Sequence, residues 1–220
     1  MGEVRVVLVD DQPLVRAGIS MLLTGESESN VAISVVGEAS DGASGAALVK
    51  RVRPDVVLMD IRMPGGDGIT ATRAIRADTA LDGVAVLMLT TFDTDEEVFS
   101  ALRAGADGYL LKDASPQRLR DAVHAVAGGE PALSPGITRR VMAQAAAAPK
   151  VRSEPLLDRL SERERQVLRG VAAGEDNSTI GAALRLSPET VRTYVSRIVG
   201  KVGATSRAHL VAIAHRGGLG

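Results

Sequence analysis

Five short apolar runs, each followed by a stretch of helical periodicity, constrain this chain more than any other feature. Four of them, at 4–9, 32–36, 56–59 and 84–89, are β-branched and nearly continuous in apolar character, and a shorter fifth candidate falls at 108–111. Such runs read as strands buried on both faces. Between and after them, helical patterns occupy roughly 13–24, 42–52, 67–77, 94–104 and 116–127, the last opening on Ser115 as N-cap and Pro116 at the first helical position. Fivefold alternation predicts an α/β fold, a parallel sheet covered by helices on both faces through right-handed crossovers. Ligands of open parallel sheets sit beyond the carboxyl ends of the strands, which is where chemistry is sought.

The pattern stops after residue 127. From Gly128 to Pro155 the sequence turns to Gly, Pro, Ala and Ser, and is read as a linker over 128–155 with room for one helix over 136–147. Beyond it the periodicity is purely helical, with segments near 161–173, 178–185, 188–202 and 206–215, so a second, smaller all-α domain is expected over 156–220. Charge divides at the same place. Residues 1–149 carry 14 Lys and Arg against 20 Asp and Glu, whereas residues 150–220 carry 12 against 7. An acidic module joined to a basic one fits a control unit attached to something that meets a polyanion. With no cysteine in the chain, disulfide frameworks, thiolate metal sites and cysteine nucleophiles are excluded. No apolar run reaches the roughly 18 residues of a membrane span, and Glu3 and Arg5 do not suit a signal peptide. The expectation is a soluble, cytoplasmic protein without a membrane partner.

Asp10 and Asp11 follow the first strand, Asp60 follows the third, and Thr90, Thr91 and Lys112 occupy the ends of the fourth and fifth. In a parallel sheet these positions converge on one edge. Clustered carboxylates repel, and a hard divalent cation with oxygen ligands, Mg2+ for preference, is the usual remedy. Beside such a cation a carboxylate can attack phosphorus while an ammonium and a hydroxyl stabilise the phosphoryl oxygens. In order and spacing, Val9-Asp10-Asp11, Met59-Asp60-Ile61-Arg62-Met63-Pro64-Gly65-Gly66-Asp67-Gly68, Leu89-Thr90-Thr91 and Gly105-Ala106-Asp107-Gly108-Tyr109-Leu110-Leu111-Lys112 resemble the signature of bacterial receiver domains over about residues 3–127.

That resemblance implies a flavodoxin-like, doubly wound (βα)5 fold over 1–127 and a role for each matched residue. Asp60 is the implied phosphoacceptor. Asp10, Asp11, Asp60 and the main-chain carbonyl of Arg62 are the implied magnesium ligands, Thr90 and Lys112 the phosphoryl contacts, and Thr90 with Tyr109 the switch pair. Thr91 receives no phosphate contact, and Asp67 and Asp107 read as turn and capping groups beside glycines. Asp113 stands where many receivers have proline, and the segment 24–31 is longer than usual before the second strand, so it reads as a loop. Arg62 and Phe92 occupy the positions that in this family govern attack of water on the acyl phosphate, and neither aligns water, so slow self-dephosphorylation is expected. Dehalogenase-type phosphatases, a rival reading, place a second Asp where this chain has Arg62.

Downstream, Ser161-Glu162-Arg163-Glu164 forms a capping box that starts a helix. Ser187-Pro188 caps another soon after the helix near 178–185, a helix-turn-helix arrangement. On this later helix Val191, Val195, Ile198, Val199 and Val202 form an apolar stripe, with Arg192, Thr193, Ser196, Arg197 and Lys201 on the other face. Polar and cationic side chains on a rigid rod suit the major groove. The order of these motifs, ending in Lys201-Val202-Gly203-Ala204-Thr205-Ser206-Arg207, resembles the LuxR-type helix-turn-helix over about 156–216. The resemblance implies double-stranded DNA as partner, with Arg192, Thr193 and Ser196 near bases and Asn177, Arg197 and Lys201 near phosphates. Two departures stand out: Gly181, where alanine is usual and whose flexibility costs that helix up to about 1 kcal/mol, and Tyr194, where histidine is common. Taken together the halves resemble the NarL/FixJ class of two-component response regulators, which implies a sensor histidine kinase as phosphodonor and a homodimer on activation. An orphan regulator that binds DNA without phosphorylation is the nearest alternative. His124, His209 and His215 are isolated and receive no role.

Overall fold

The computed structural model describes residues 2–25, 31–64, 67–91, 94–147 and 160–216. Strands β1 (Glu3–Val9), β2 (Ala32–Ala39), β3 (Val56–Asp60), β4 (Ala85–Thr90), β5 (Gly108–Leu111) and β6 (Ala132–Leu133) form one sheet in the order β2-β1-β3-β4-β5-β6. Every neighbouring pair is parallel. The runs at 56–59 and 84–89 form central strands buried on both faces, with Val56 through Met59 and Val86 through Met88 fully buried, whereas the run at 32–36 forms the edge strand β2, in which Ile33 alone is buried. The connecting helices are α1 (Pro13–Thr24), α2 (Gly42–Val52), α3 (Gly68–Ala77), α4 (Asp95–Ala104) and α5 (Pro116–Ala127). On one face Leu23 of α1 and Leu119, Val123 and Val126 of α5 pack on Val6, Leu8, Leu58 and Leu87. Helices α2, α3 and α4 contact one another in series, and their Val49, Ile75 and Val98 are also fully buried.

Helix α1 opens on Pro13 without a side-chain cap, and the starts of α2 to α5 follow from caps. Asp41 accepts from the Ser44 N–H, Asp67 from Thr70, Thr94 from Glu97 and Ser115 from Arg118. Asp67 is therefore a capping group, as its sequence context indicated. Asp107 does more than turn the chain: it accepts from the Val86 N–H at 2.8 Å and pairs with Arg76.

One expectation needs correction. The segment read as linker from Gly128 begins inside the sheet, where Ala132 pairs with Gly108 and Leu133 with Tyr109, so six strands rather than five are present among the described residues. The close approach requires Gly108, because a Cβ there would lie 2.9 Å from the Ala132 carbonyl oxygen. Compact units divide at Ser134/Pro135 rather than after residue 127. The helix expected over 136–147 is α6 (Pro135–Ala147), and it packs on the last helix of the second unit. The rest of the linker, 148–155, and most of the 24–31 segment lie outside the described residues.

The second unit contains α7 (Glu162–Ala172), α8 (Asn177–Leu184), α9 (Pro188–Val202) and α10 (Arg207–Arg216). Val167, Leu168, Val171, Ile180, Val191, Ile198 and Leu210 make its core. The capping box at Ser161 and Glu164 is formed in both directions. Between α8 and α9 the chain turns through Arg185 in the left-handed conformation (φ 55) and enters α9 at Ser187, which caps Thr190. Gly181 serves this turn: a Cβ would meet the Leu186 carbonyl oxygen at 2.7 Å, and the Leu186 N–H donates to the Gly181 carbonyl at 2.9 Å. The residue that sequence alone marked as a weakness of α8 is what lets the turn close.

Candidate functional site

The strand ends bring Asp10, Asp11, Asp60 and Lys112 together. Lys112 Nζ lies 2.6 Å from Asp10 Oδ2 and 2.8 Å from Asp60 Oδ2. Asp10 and Asp60 are only 3% and 5% exposed, while Asp11 is half-buried. Backbone N–H groups hold both buried acids in place: Gln12 donates to Asp10 Oδ1 and Ile61 to Asp60 Oδ1, each at 2.8 Å. Gly68 sets the depth of Asp60. Its N–H donates to the Ile61 carbonyl at 2.9 Å, and a Cβ at this position would fall 1.9 Å from the Asp60 carbonyl oxygen.

Burial raises the Asp60 carboxyl above the usual carboxylate range, against the opposing pull of the Lys112 hydrogen bond and charge. Burial also pulls on Lys112 in the direction of deprotonation, but its hydrogen bonds to Asp10 and Asp60 outweigh it and leave the ammonium harder to deprotonate than a free lysine. One oxygen from each of Asp10, Asp11 and Asp60 lies within 4.8 Å of the others, and Asp11 Oδ1 is buried with no hydrogen-bond partner. An all-oxygen donor set with an orphaned carboxylate oxygen fits a hard divalent cation.

Thr90, at the end of β4, is buried, and its carbonyl accepts from the Lys112 N–H at 2.8 Å, which ties the two strand ends at the pocket. Tyr109 is fully buried on β5. Arg62 lies in the loop after Asp60 and borders, with Asp11, Met63 and Glu97, a cleft of about 520 Å³. Its side chain forms a 2.7 Å ion pair with Glu97 on α4, a partner the sequence did not announce because the two are 35 positions apart. Phe92, the other residue expected to influence turnover, lies outside the described residues.

On α9, Val191, Val195, Ile198 and Val202 are buried, while Arg192, Thr193, Ser196, Arg197 and Lys201 are exposed on the opposite face. Lys201 is partly engaged, since its ammonium lies 2.7 Å from Glu164 Oε1 on α7. That ammonium, with help from the Ser161 N–H and hydroxyl, holds the Glu164 carboxyl down to about 2 despite its burial. Asn177 does not belong with the exposed set. It is 5% exposed, and its Oδ1 accepts from Arg207 Nη1 at 2.6 Å. Arg207, itself buried, also donates to the Glu175 carbonyl at 2.6 Å, so the Asn177 Oδ1 points inward and ties α8 to α10. A helix N-terminus beside Asp176 gave the sequence reading no sign of this inward turn.

Residues 6–124 match the response regulator receiver domain, and residues 158–214 match the bacterial regulatory proteins of the luxR family. The chain is 40% identical over 218 residues to the transcriptional regulatory protein YxjL of Bacillus subtilis, covering 99% of this chain and 97% of the relative. It is 38% identical, with a TM-score of 0.52 and full coverage of both chains, to the response regulator ChrA of a heme-sensing two-component system. RcsB, solved as two dimers bound to two parallel DNAs, is 25% identical with a TM-score of 0.55 over 96% of each chain.

Proposed function

The chain belongs to the LuxR-family response regulators of two-component systems, transcription regulators that join a receiver domain to a helix-turn-helix, and from that premise we propose that Asp60 takes a phosphoryl group from a sensor histidine kinase and thereby controls homodimerisation and binding of double-stranded DNA. The observation that carries this reading is the buried Asp60 carboxylate, paired with Lys112 and set beside an Asp11 oxygen that lacks a hydrogen-bond partner.

In the proposed step a carboxylate oxygen of Asp60 attacks phosphorus, an acyl phosphate P–O bond forms, the P–N bond to the donor imidazole breaks, and the imidazole keeps the electron pair. Magnesium, held by Asp10, Asp11, Asp60 and the main-chain carbonyl of Arg62, would supply positive charge against the carboxylates and the phosphoryl oxygens. Lys112 is already aimed at Asp60 and needs little movement to donate to a phosphoryl oxygen. Thr90 supplies the hydroxyl from the end of the neighbouring strand. Tyr109, whose ring is buried in the structure, is the aromatic that follows Thr90. Neither an arginine at 62, here paired with Glu97, nor a phenylalanine at 92 has the side-chain chemistry to align an attacking water, so the acyl phosphate hydrolyses slowly.

In the second unit Arg192, Thr193 and Ser196 face bases or nearby backbone, with Arg197 and Lys201 nearer phosphates. Half-sites about one DNA turn apart follow from a symmetric dimer. Phosphorylation acts on an equilibrium, and a swing from 1:99 to 99:1 requires about 5.5 kcal/mol of differential interaction, so partial activation is expected. No described helix is long and apolar enough to cross a membrane, and we place the regulator in the cytoplasm, where it meets both kinase and promoter. Mass spectrometry of protein treated with acetyl phosphate and Mg2+ tests the chemistry: one phosphate on Asp60 is expected, and none in Asp60→Ala. Absence of any adduct on Asp60, from acetyl phosphate or from the cognate kinase, would overturn the reading.

A further inference from the structure

Arg16 stands one turn into α1, and its backbone N–H closes that turn on the Gln12 carbonyl at 3.0 Å. Its side chain turns back towards the strand ends instead of out to solvent and is 17% exposed. Nη1 donates to the main-chain carbonyl of Asp10 at 2.6 Å, and Nε lies 3.1 Å from Glu38 Oε2 on β2. The Asp10 N–H donates to the carbonyl of Ala39, the residue after Glu38, at 3.1 Å. The turn that carries Asp10 and Asp11 is thus tied to the β2 edge twice, once directly through backbone and once through the Arg16 guanidinium.

Arginine suits this position because its planar fork holds two acceptors at a fixed angle, which a flexible ammonium cannot do. A charge-assisted bond to a carbonyl at such a distance is among the stronger hydrogen bonds available to a loop. Glu38 offsets the guanidinium charge, so what Arg16 offers the acidic pocket is chiefly geometry. The carbonyl it grips belongs to the residue whose carboxylate faces Lys112, one step before the residue whose Oδ1 is orphaned.

We propose that Arg16, anchored by Glu38, is a positioning residue that sets the pocket's affinity for a divalent cation through the main chain of Asp10. The inference rests on the reading of Asp10, Asp11 and Asp60 as a magnesium site. Outer partners that orient metal ligands are worth about 10- to 100-fold in metal affinity, and contact through a carbonyl places the effect near the lower end.

The test is calorimetric titration of the full-length protein with Mg2+, paired with phosphorylation by acetyl phosphate across a range of Mg2+ concentrations. Arg16→Ala is expected to weaken Mg2+ binding by about 10-fold, and its phosphorylation rate recovers to the wild-type maximum once Mg2+ saturates, the signature of a binding defect without a chemical one. Arg16→Lys, which reaches one acceptor but not both, recovers only part of the affinity. Glu38→Ala, a change at a half-exposed side chain that keeps the proposal testable if Arg16→Ala misfolds, weakens Mg2+ binding in the same direction. Wild-type affinity in both Arg16→Ala and Glu38→Ala, or a rate deficit that saturating Mg2+ does not recover, overturns the proposal. Failure of the underlying metal reading looks different: Mg2+ then binds Asp11→Ala as tightly as wild type, or does not bind wild type at all, and the Arg16 proposal falls with it.

Discussion

Replacing Lys112 with methionine keeps the unbranched stem and removes the charge. Asp10 and Asp60 are then left as two buried carboxylates whose nearest counterion, at 2.6 and 2.8 Å, is gone. Oxygens of the two acids lie within 4.8 Å of each other, and unit charges at that separation repel by about 3 kcal/mol at an effective dielectric constant of about 20. Removing one partner of a buried ion pair costs about 3–5 kcal/mol in general, so a loss of about 3 kcal/mol at neutral pH is expected without Mg2+. A divalent cation can take over the role of the ammonium. Binding to the folded state alone stabilises by about 2.7 kcal/mol at one hundred times Kd, so Mg2+ should recover most of the deficit and stabilise the variant more than the wild type. Tyr109 and Tyr194 are the only tyrosines, one in each unit, and there is no tryptophan. In a Tyr194→Phe background, tyrosine fluorescence during urea unfolding therefore reports the receiver alone. If Lys112→Met unfolds in magnesium-free buffer at the same urea concentration as the background protein, the electrostatic account of the pocket is wrong.

Gly181→Ala should destabilise the second unit by about 1–3 kcal/mol, because overpacking against the Leu186 carbonyl outweighs the better helix propensity of alanine; a raised melting temperature would refute this. Glu164 is held down to about 2 from 4.5, chiefly by Lys201, so its contribution to stability is complete above about 4.5 and fades as pH falls towards 2. Glu164→Gln should lower the stability of the second unit at neutral pH and flatten the acid limb of its stability profile, and acid titrations of the two proteins that run parallel would contradict the pairing. Arg197→Ala should weaken DNA binding about equally across sequences and reduce the magnitude of the log–log salt slope by about 0.9, whereas Arg192→Ala should relax sequence preference; filter-binding series at several salt concentrations separate the two.

Much of this was legible because both halves are regular. Continuous β-branched runs announce strands, though not which of them will sit at the edge as β2 does, and caps such as Ser115, Ser161 and Ser187 mark helix starts locally. Convergence of Asp10, Asp60 and Lys112 follows from topology, since all lie at or just past the carboxyl ends of strands in the middle of one parallel sheet. Hidden features depend on contacts between distant positions. A two-residue strand such as Ala132–Leu133 has no alternation to read and exists because β5 offers it an edge. Asn177 looked like a polar residue at an exposed helix start until Arg207, thirty positions on, claimed it from within. Gly181 looked like a flaw because sequence gives propensity and not the position of the Leu186 carbonyl. Arg16 carried no motif signal, because its partners are one main-chain oxygen and one acid on another strand.

The most direct test of the proposed switch is the affinity for promoter DNA at one fixed salt concentration, for wild type and Asp60→Ala, each with and without acetyl phosphate and Mg2+. Tighter binding by wild type only when the phosphodonor is present, with Asp60→Ala unresponsive, is the expected result. Equal affinity in all four conditions, on DNA that both proteins bind, would mean that the acidic pocket does not govern the helix-turn-helix.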